Sequence, residues 1–323
     1  MHNPTSDRAI VIYHDNCMDG FASAWAFHTL MESGYAGGVQ YLPYKYGMDP
    51  IASMNFIEHD VFILDFSFPR DALEYICNTA NHVTLLDHHK TAAADLADTI
   101  NWETKPANLT IVFDMARSGA GITWDYFYES RNGPTYGETN RPKLISYVED
   151  RDLWLFVWHA SKAVNAVVAI TPRNFKSYTR LAAQIEESIE NIINIGEHLD
   201  YQHKQIASEI VKECREITIF EPITDDFEVD KEFKGLASNC SPQFSSEVGN
   251  ILALNSGTFG ATYWADHTGA ILWSLRSVGD YDVSAIAKIF GGGGHKNAAG
   301  FKVFQNLGPG IDPAKIELRV LEE

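Results

Sequence analysis

Residues 85–90 read LLDHHK. They close a mostly apolar run that begins Val83-Thr84, and they put an acid, two imidazoles and an ammonium where a buried strand would end. Runs of the same kind stand at 9–14 (AIVIYH), 39–44 (VQYLPY) and 61–67 (VFILDFS). Helical stretches separate several of them, GFASAWAFHTLMES after the first and RDALEYICNTA after the third. Short continuous apolar strands alternating with helices predict a mostly parallel sheet covered on both faces. NLTIVFD and GAGITWDYFYES extend the pattern by a strand and a helix, with Ser118 as N-cap.

Beyond a polar loop, ESRNGPTYGETNRP, the pattern predicts a helix over 142–150 that ends in VEDRDLW. Residues 178–215 keep helical periodicity, with Gly196 its weak point. The runs EITIF, FKGLAS, GTFGATYWA and GAILWSLRS, the helix DVSAIAKIF and the tail GGGGHKNAAGFKVF then make a smaller α/β domain. The expected organisation is an α/β domain over 1–180, a helical linker over 181–215 and a smaller α/β domain over 216–323. A chain of 323 residues, 45% hydrophobic, can bury two cores.

A net charge of −18 opposes a surface built for long polyanions, so duplex DNA and long RNA are excluded as partners and any phosphate ligand is short. Four scattered cysteines without a CxxC pair read as reduced thiols. The N-terminus lacks the order of a signal peptide, and no apolar run approaches the ~20 residues that span a bilayer. A soluble cytoplasmic protein is expected, with no membrane partner and a homodimer allowed for.

His14, Asp65 and the trio Asp87, His88, His89 each fall at the C-terminal end of an expected parallel strand, the edge at which open α/β sheets bind ligands. Any one of them alone is as well read as a turn or cap residue; three strands together point to a site. Carboxylates with imidazoles suit Mn2+, Mg2+ or Zn2+, and there are enough of them for two ions at roughly 3.5–4 Å that share a carboxylate. The implied chemistry is phosphoester hydrolysis by water. In GGGGHKNAAG (291–300), glycine amides with His295 and Lys296 suit an anion, although a glycine C-cap after the preceding helix is the plain alternative. Arg276, at the end of a strand, suits a terminal phosphate. The aromatics of YLPYKYG are compatible with base stacking, though such residues are more often core.

In this order the chain resembles the DHH phosphoesterase superfamily with its DHH-associated C-terminal domain. YHDNCMDGFASAWA, VFILDFS, LLDHHK, YVEDRDLW and GGGGHKNAAGF follow the order of the family's motifs over nearly the whole chain. Within it, the chain looks closest to the branch of bacterial short-oligoribonucleotide, or nanoRNA, hydrolases. The resemblance implies two Mn2+ ions, with Mg2+ an alternative, bridged by Asp65. His14 sits with one ion, and Asp19, His88 and Asp150 hold the other, Asp150 being preferred to Asp152. Asp87 orients its neighbours and His89 faces the scissile phosphate. Arg276, His295 and the loop Gly292, Gly293, Gly294 bind the far end of the substrate, and a cleft between domains measures its length.

One departure stands out. The family's first motif carries two aspartates one residue apart, and here Cys17 takes the place of the first. Cys17 can coordinate as a thiolate, Asp15 can supply the oxygen, or the first ion can bind more weakly; a weakened or rearranged first ion is the reading taken. The expected function is a Mn2+-dependent phosphodiesterase of the 3′-5′ oligoribonuclease type that cuts very short ribonucleotides, such as pGpG, to mononucleotides. The alternatives are a phosphatase on pAp, a cyclic nucleotide or inorganic polyphosphate, and a silent nucleotide sensor.

Overall fold

The computed structural model describes residues 4–45, 51, 54–97, 105–132, 140–221, 231–303 and 315–318. Tyr46 and Gly47 of YLPYKYG, residues 133–139 of the polar loop and Phe304 lie outside them. The chain divides into two compact units, Met1–Asp200 and Tyr201–Glu323.

The first unit is built on a five-stranded sheet of β1 (Arg8–His14), β2 (Gly38–Tyr44), β3 (His59–Leu64), β4 (His82–Asp87) and β5 (Leu109–Phe113). Its order is β2-β1-β3-β4-β5 and every pairing is parallel. The inner strands are apolar throughout because both faces are covered, and their side chains alternate between two cores. Ile10, Ile12, Val61, Ile63, Val83 and Leu85 meet Leu73 and Ile76 of α2 (Arg70–Thr79). Val11, Phe62, Leu64 and Leu86 meet Phe27 of α1 (Met18–Met31) and Ile122 and Phe127 of α4 (Gly119–Asn132). The short helix α3 (Lys90–Asp95) follows β4.

Outside α1 and α4 lies a third, all-helical core. It joins Trp25, Trp124 and Leu144 with α5 (Lys143–Asp152), α6 (Ser161–Ile170) and the first part of α7 (Phe175–Lys212). Helix α6, SKAVNAVVAI, ends two residues before Pro172 and does not stand out from the pattern along the chain. The chain leaves β1 toward one edge to make β2 and toward the other to make β3, so the order reverses between β1 and β3. Such a point opens a crevice beyond the strands' carboxyl ends.

The second unit holds a mixed seven-stranded sheet of β6 (Arg215–Glu221), β7 (Lys231–Asn239), β8 (Phe259–Ala265), β9 (Ile271–Ser277), β10 (Gly293–His295), β11 (Ala298–Val303) and β12 (Lys315–Leu318). The order is β10-β11-β9-β8-β7-β6-β12. Helix α8 (Ser245–Ser256) packs Val248 and Leu252 on Ala207 and Phe244. Helix α9 (Val283–Ile289) packs Ile286 on Trp273, Leu275 and Phe301. The α/β class, the parallel first sheet, the long helix and a second α/β unit smaller than the first are as the sequence pattern expects. Among the described residues no helix is long and apolar enough to cross a membrane.

The long helix is interrupted at Ser188 (φ −158°, ψ 72°) and not at Gly196. Gly196 lies against α6, where a Cβ would fall 2.0 Å from the Ala163 carbonyl oxygen. This glycine is therefore a contact point between helices. Gly→Ala within a helix ordinarily gains about 1 kcal/mol. For Gly196→Ala we expect the opposite sign, a loss of about 1–3 kcal/mol from forced separation of α6 and α7, read as a lower urea midpoint.

Candidate metal centre

His14 ends β1, Asp65 directly follows β3, and Asp87 ends β4. The register pairs Tyr13 with Leu64 and Leu64 with Leu86, so the three groups emerge side by side at the reversal of strand order. Asp65 still donates its amide to the Leu86 carbonyl at 2.9 Å, but its backbone has turned left-handed (φ 55°). That conformation costs a non-glycine residue about 1–3 kcal/mol and is kept where the surroundings impose it. The turn aims the carboxylate back over the sheet edge, where it is 1% exposed and neither oxygen accepts a well-directed hydrogen bond.

Two glycines admit this arrangement. A Cβ on Gly119, the first residue of α4, would fall 2.4 Å from the Asp65 Cβ, and one on Gly20 of α1 would fall 2.2 Å from the His14 carbonyl oxygen. The N-terminus of α4 can thus close on the site. There the Gly119 and Ala120 amides donate to the buried Asp19 carboxylate at 2.6 and 3.0 Å, an anion on the positive end of a helix. Ser118 accepts from the Gly121 amide at 3.1 Å, as an N-cap does, while its own amide donates to Glu149 of α5 at 3.0 Å. Glu149 and Asp125 are both held by Arg141.

The Asp65 carboxylate faces two groups of donors. Its Oδ2 lies 3.5 Å from His14 Nδ1, and His14, Cys17 and Asp65 present ligand atoms all within 4.8 Å of one another. Its Oδ1 lies 3.1 Å from His88 Nε2, which is also 3.6 Å from Asp19 and 3.5 Å from Asp152. Asp19, His88 and Asp152 form a second group within the same limit. Asp87 is occupied otherwise: Ser67 donates to it at 2.5 Å, the His88 amide at 2.7 Å, and His89 Nδ1 lies at 2.7 Å.

The geometry separates two pairs of near neighbours. Asp150, placed in the ligand set by resemblance, accepts from the amides of Val157 and Trp158 at 2.9 and 3.3 Å and so pins the turn after α5; Asp152, two residues on, is the carboxylate that reaches His88. Asp15 accepts the Asn16 amide at 2.8 Å and joins neither donor group, so Cys17 stands in the first one. Sequence reasoning misses Gly119, Gly20, Ser67 and Glu149; the small residues opening SGAG are the only trace the sequence offers of the first.

Close-packed acids must be balanced by positive charge. Burial alone would push the Asp65 carboxyl up, yet the contacts from His14 and His88 hold it well below the usual carboxylate range. Its neighbours take up the protons. Burial would lower His88, but Asp65, Asp152 and Asp19 together push it up to about 11. His14 is likewise raised well above its ordinary value, against its burial, by Asp65 and Cys17. Burial first, and then neighbouring carboxylates, raise Asp19, Asp152 and the Cys17 thiol. Donors of one metal ion stand roughly 3–3.6 Å apart when bond lengths are 2.0–2.3 Å. The 3.1–3.6 Å contacts around Asp65 have that spacing, so the residues fit divalent cations in place of the protons.

In the second unit, His295 and Arg276 both pair with Ala298, from opposite sides, and so share one face of the sheet. Arg276 donates to Ser246 Oγ at 2.9 Å and to Ser274 Oγ at 3.0 Å. The neighbouring glycines have a packing account. Gly291 (φ 69°) ends α9, and a Cβ on Gly292 or Gly294 would fall 2.2 Å from the Gly300 oxygen or 2.5 Å from the Ala298 oxygen. Gly293 lies within β10, paired with Gly300. Gly293, Gly294 and His295 form one strand of a tight hairpin.

Comparison with solved structures settles the fold. The DHH domain of a protein assigned to a ribosomal-protein family superposes on 91% of this chain and 82% of its own with a TM-score of 0.58, at 12% identity. In fold, the chain is similar to this DHH domain. A pGpG-specific phosphodiesterase from Vibrio cholerae aligns over 92% of both chains at 12% identity with a TM-score of 0.42. In sequence, an uncharacterised protein of Acanthamoeba polyphaga mimivirus is 31% identical over 305 residues, 90% of this chain; the chain spans 66% of that relative's length. No protein-family model matches the chain.

Two outcomes test this centre in the DHH-fold unit. Asp152→Ala should weaken Mn2+ binding by at least ~10-fold in calorimetry and leave stability intact, whereas Asp150→Ala should cost about 1–3 kcal/mol in urea unfolding, because the turn after α5 loses the buried carboxylate that accepts from two of its amides. Since His14 and His88 hold protons in the metal-free protein and must lose them to coordinate, a higher pH favours the bound form. The apparent Mn2+ affinity should therefore rise over roughly pH 6–9, with proton release seen as buffer-dependent heats; a flat profile contradicts the assignment.

Proposed function

We propose that the chain is a metal-dependent phosphodiesterase of the DHH type that hydrolyses very short oligoribonucleotides, or linear dinucleotides such as pGpG, to mononucleotides. The observation that carries this reading is Asp65, a buried carboxylate with one oxygen toward His14 and Cys17 and the other toward His88, Asp19 and Asp152. In the proposal His14, Asp19, Asp65, His88 and Asp152 hold two divalent cations, Mn2+ by preference and Mg2+ as the substitute. Bound there, the ions would supply the positive charge that an in-line phosphoryl displacement needs and would make water a better nucleophile.

The chain's own residues position the reaction. His89, with Nδ1 taken by Asp87, offers its remaining ring nitrogen to the phosphate, and Asp87 fixes the tautomer that can do so. A water oxygen forms the new bond to phosphorus as the bond to the 3′ oxygen breaks, and that oxygen takes up a proton, which leaves a 3′-hydroxyl and a 5′-phosphate. Arg276 and His295 are proposed to bind a phosphate from the shared face of the second sheet. The net charge of −18 favours short substrates, because long RNA would meet a repelling surface.

The test is a turnover panel of labelled oligoribonucleotides of increasing length from two residues, with pAp and pyrophosphate alongside, in Mn2+ and separately in Mg2+. We expect mononucleotide release from dinucleotides that falls steeply with length. Asp65→Asn should lose both turnover and bound metal, since Asp65 belongs to the group with His14 and Cys17 and also lies 3.1 Å from His88 of the other group. Turnover confined to pAp or pyrophosphate would replace the substrate class, and full activity of Asp65→Asn would overturn the assignment of the centre.

A further inference from the structure

We propose that Cys17 is a metal ligand, whose thiolate joins His14 and Asp65 in a sulfur-nitrogen-oxygen site for a borderline ion such as Zn2+, Fe2+ or Co2+. The adjoining group of Asp19, His88 and Asp152 keeps the hard character that suits Mn2+ or Mg2+. The inference rests on the reading of this cluster as a metal centre, and goes beyond it in making the centre chemically unequal.

Several independent features of the chain converge on Cys17. It is the N-cap residue of α1 (φ −111°, ψ 141°), yet its side chain makes no capping hydrogen bond, so the sulfur is not engaged by the helix amides. The sulfur instead lies in the group with a His14 nitrogen and an Asp65 oxygen, all within 4.8 Å. Tetrahedral donors around zinc stand roughly 3.4–3.6 Å apart, so a shift of about an ångström closes the set on an ion, and the His14–Asp65 contact of 3.5 Å already has that spacing. The Asp65 carboxylate, 1% exposed and without a well-directed hydrogen bond, points into the same space. The alternative oxygen donor, Asp15, is turned to the Asn16 amide. Among the described residues, Cys77, Cys214 and Cys240 belong to no such group.

A thiolate carries the same formal charge as a carboxylate, so the electrostatic balance of the site is kept. What changes is softness. Thiolate and imidazole select zinc-like ions, whereas carboxylates alone do not separate them from Mn2+ or Mg2+. Because Asp65 serves both groups, each ion would feel the other through one shared carboxylate.

The test is a Co2+ titration of the full-length chain followed by absorption, a readout that needs no turnover. We expect a near-ultraviolet sulfur-to-cobalt charge-transfer band together with visible d–d bands. In Cys17→Ser the charge-transfer band should vanish while d–d bands from the remaining donors persist; serine is a favoured N-cap, so this variant should fold, which circular dichroism checks. In Cys17→Asp the ratio of Zn2+ to Mn2+ affinity, measured by competition, should fall by at least ~10-fold. Cobalt bound by the wild-type chain without a charge-transfer band would overturn ligation by Cys17 and leave the metal centre standing, as would a band that survives in Cys17→Ser. A wild-type chain that binds no cobalt would overturn the metal centre itself, and this inference with it.

Discussion

A single buried carboxylate, Asp65, lies between two imidazoles on a left-handed backbone, and most of the first unit is arranged around holding it there. A carboxylate removed from water without compensating charge is expensive, so it must be met by cations or by protonated partners. His14 and His88 supply these from the neighbouring strands β1 and β4, which is possible only because β3 is an inner strand of a parallel sheet. The parallel arrangement sends three consecutive strand ends to one edge, and the reversal of order between β1 and β3 opens room for the side chains to converge.

Helices bring the remaining donors. Asp19 and Cys17 come from the start of α1, and the N-terminus of α4 closes on Asp19 with two amides. That approach is permitted by Gly119, which has no Cβ to strike Asp65. Asp152 comes from the last turn of α5, and α5 is tied to the start of α4 through Glu149 and the Ser118 amide. Donors from three strand ends and two helices thus share one rigid frame, so the spacing between them is set by packing and not by flexible side chains. Crowding of the acids raises the proton affinity of His14 and His88, and burial with neighbouring carboxylates raises that of Asp19, Asp152 and the Cys17 thiol. Cation binding there would be coupled to proton release.

The second unit shows how a signal of composition can have two causes. Four successive glycines suggest an open loop for an anion, and in the fold they serve a helix end and a hairpin strand pressed against its neighbour. The residues that keep a chemical character there are Arg276 and His295, aligned across β11. Their alignment depends on strand register, which composition does not carry.

Much of the architecture was legible along the chain because parallel strands buried on both faces are written as unbroken apolar runs. An acid or imidazole at the end of such a run is conspicuous, as at His14, Asp65 and Asp87. The choice between near neighbours was not legible. Asp150 and Asp152 stand two residues apart on one helix, and only the turn that follows, whose amides take Asp150, leaves Asp152 to the cluster. Asp15 and Cys17 are separated in the same way by the bend from β1 into α1, and Gly196 reads as a weak point until α6 is seen against it. The sequence by itself determined the fold class, the reactive edge of the sheet and the kind of chemistry its residues suit, since these follow from local periodicity and residue type. Tertiary structure alone decided which carboxylate and which sulfur face Asp65, because that depends on backbone direction and close approach between segments far apart in the chain.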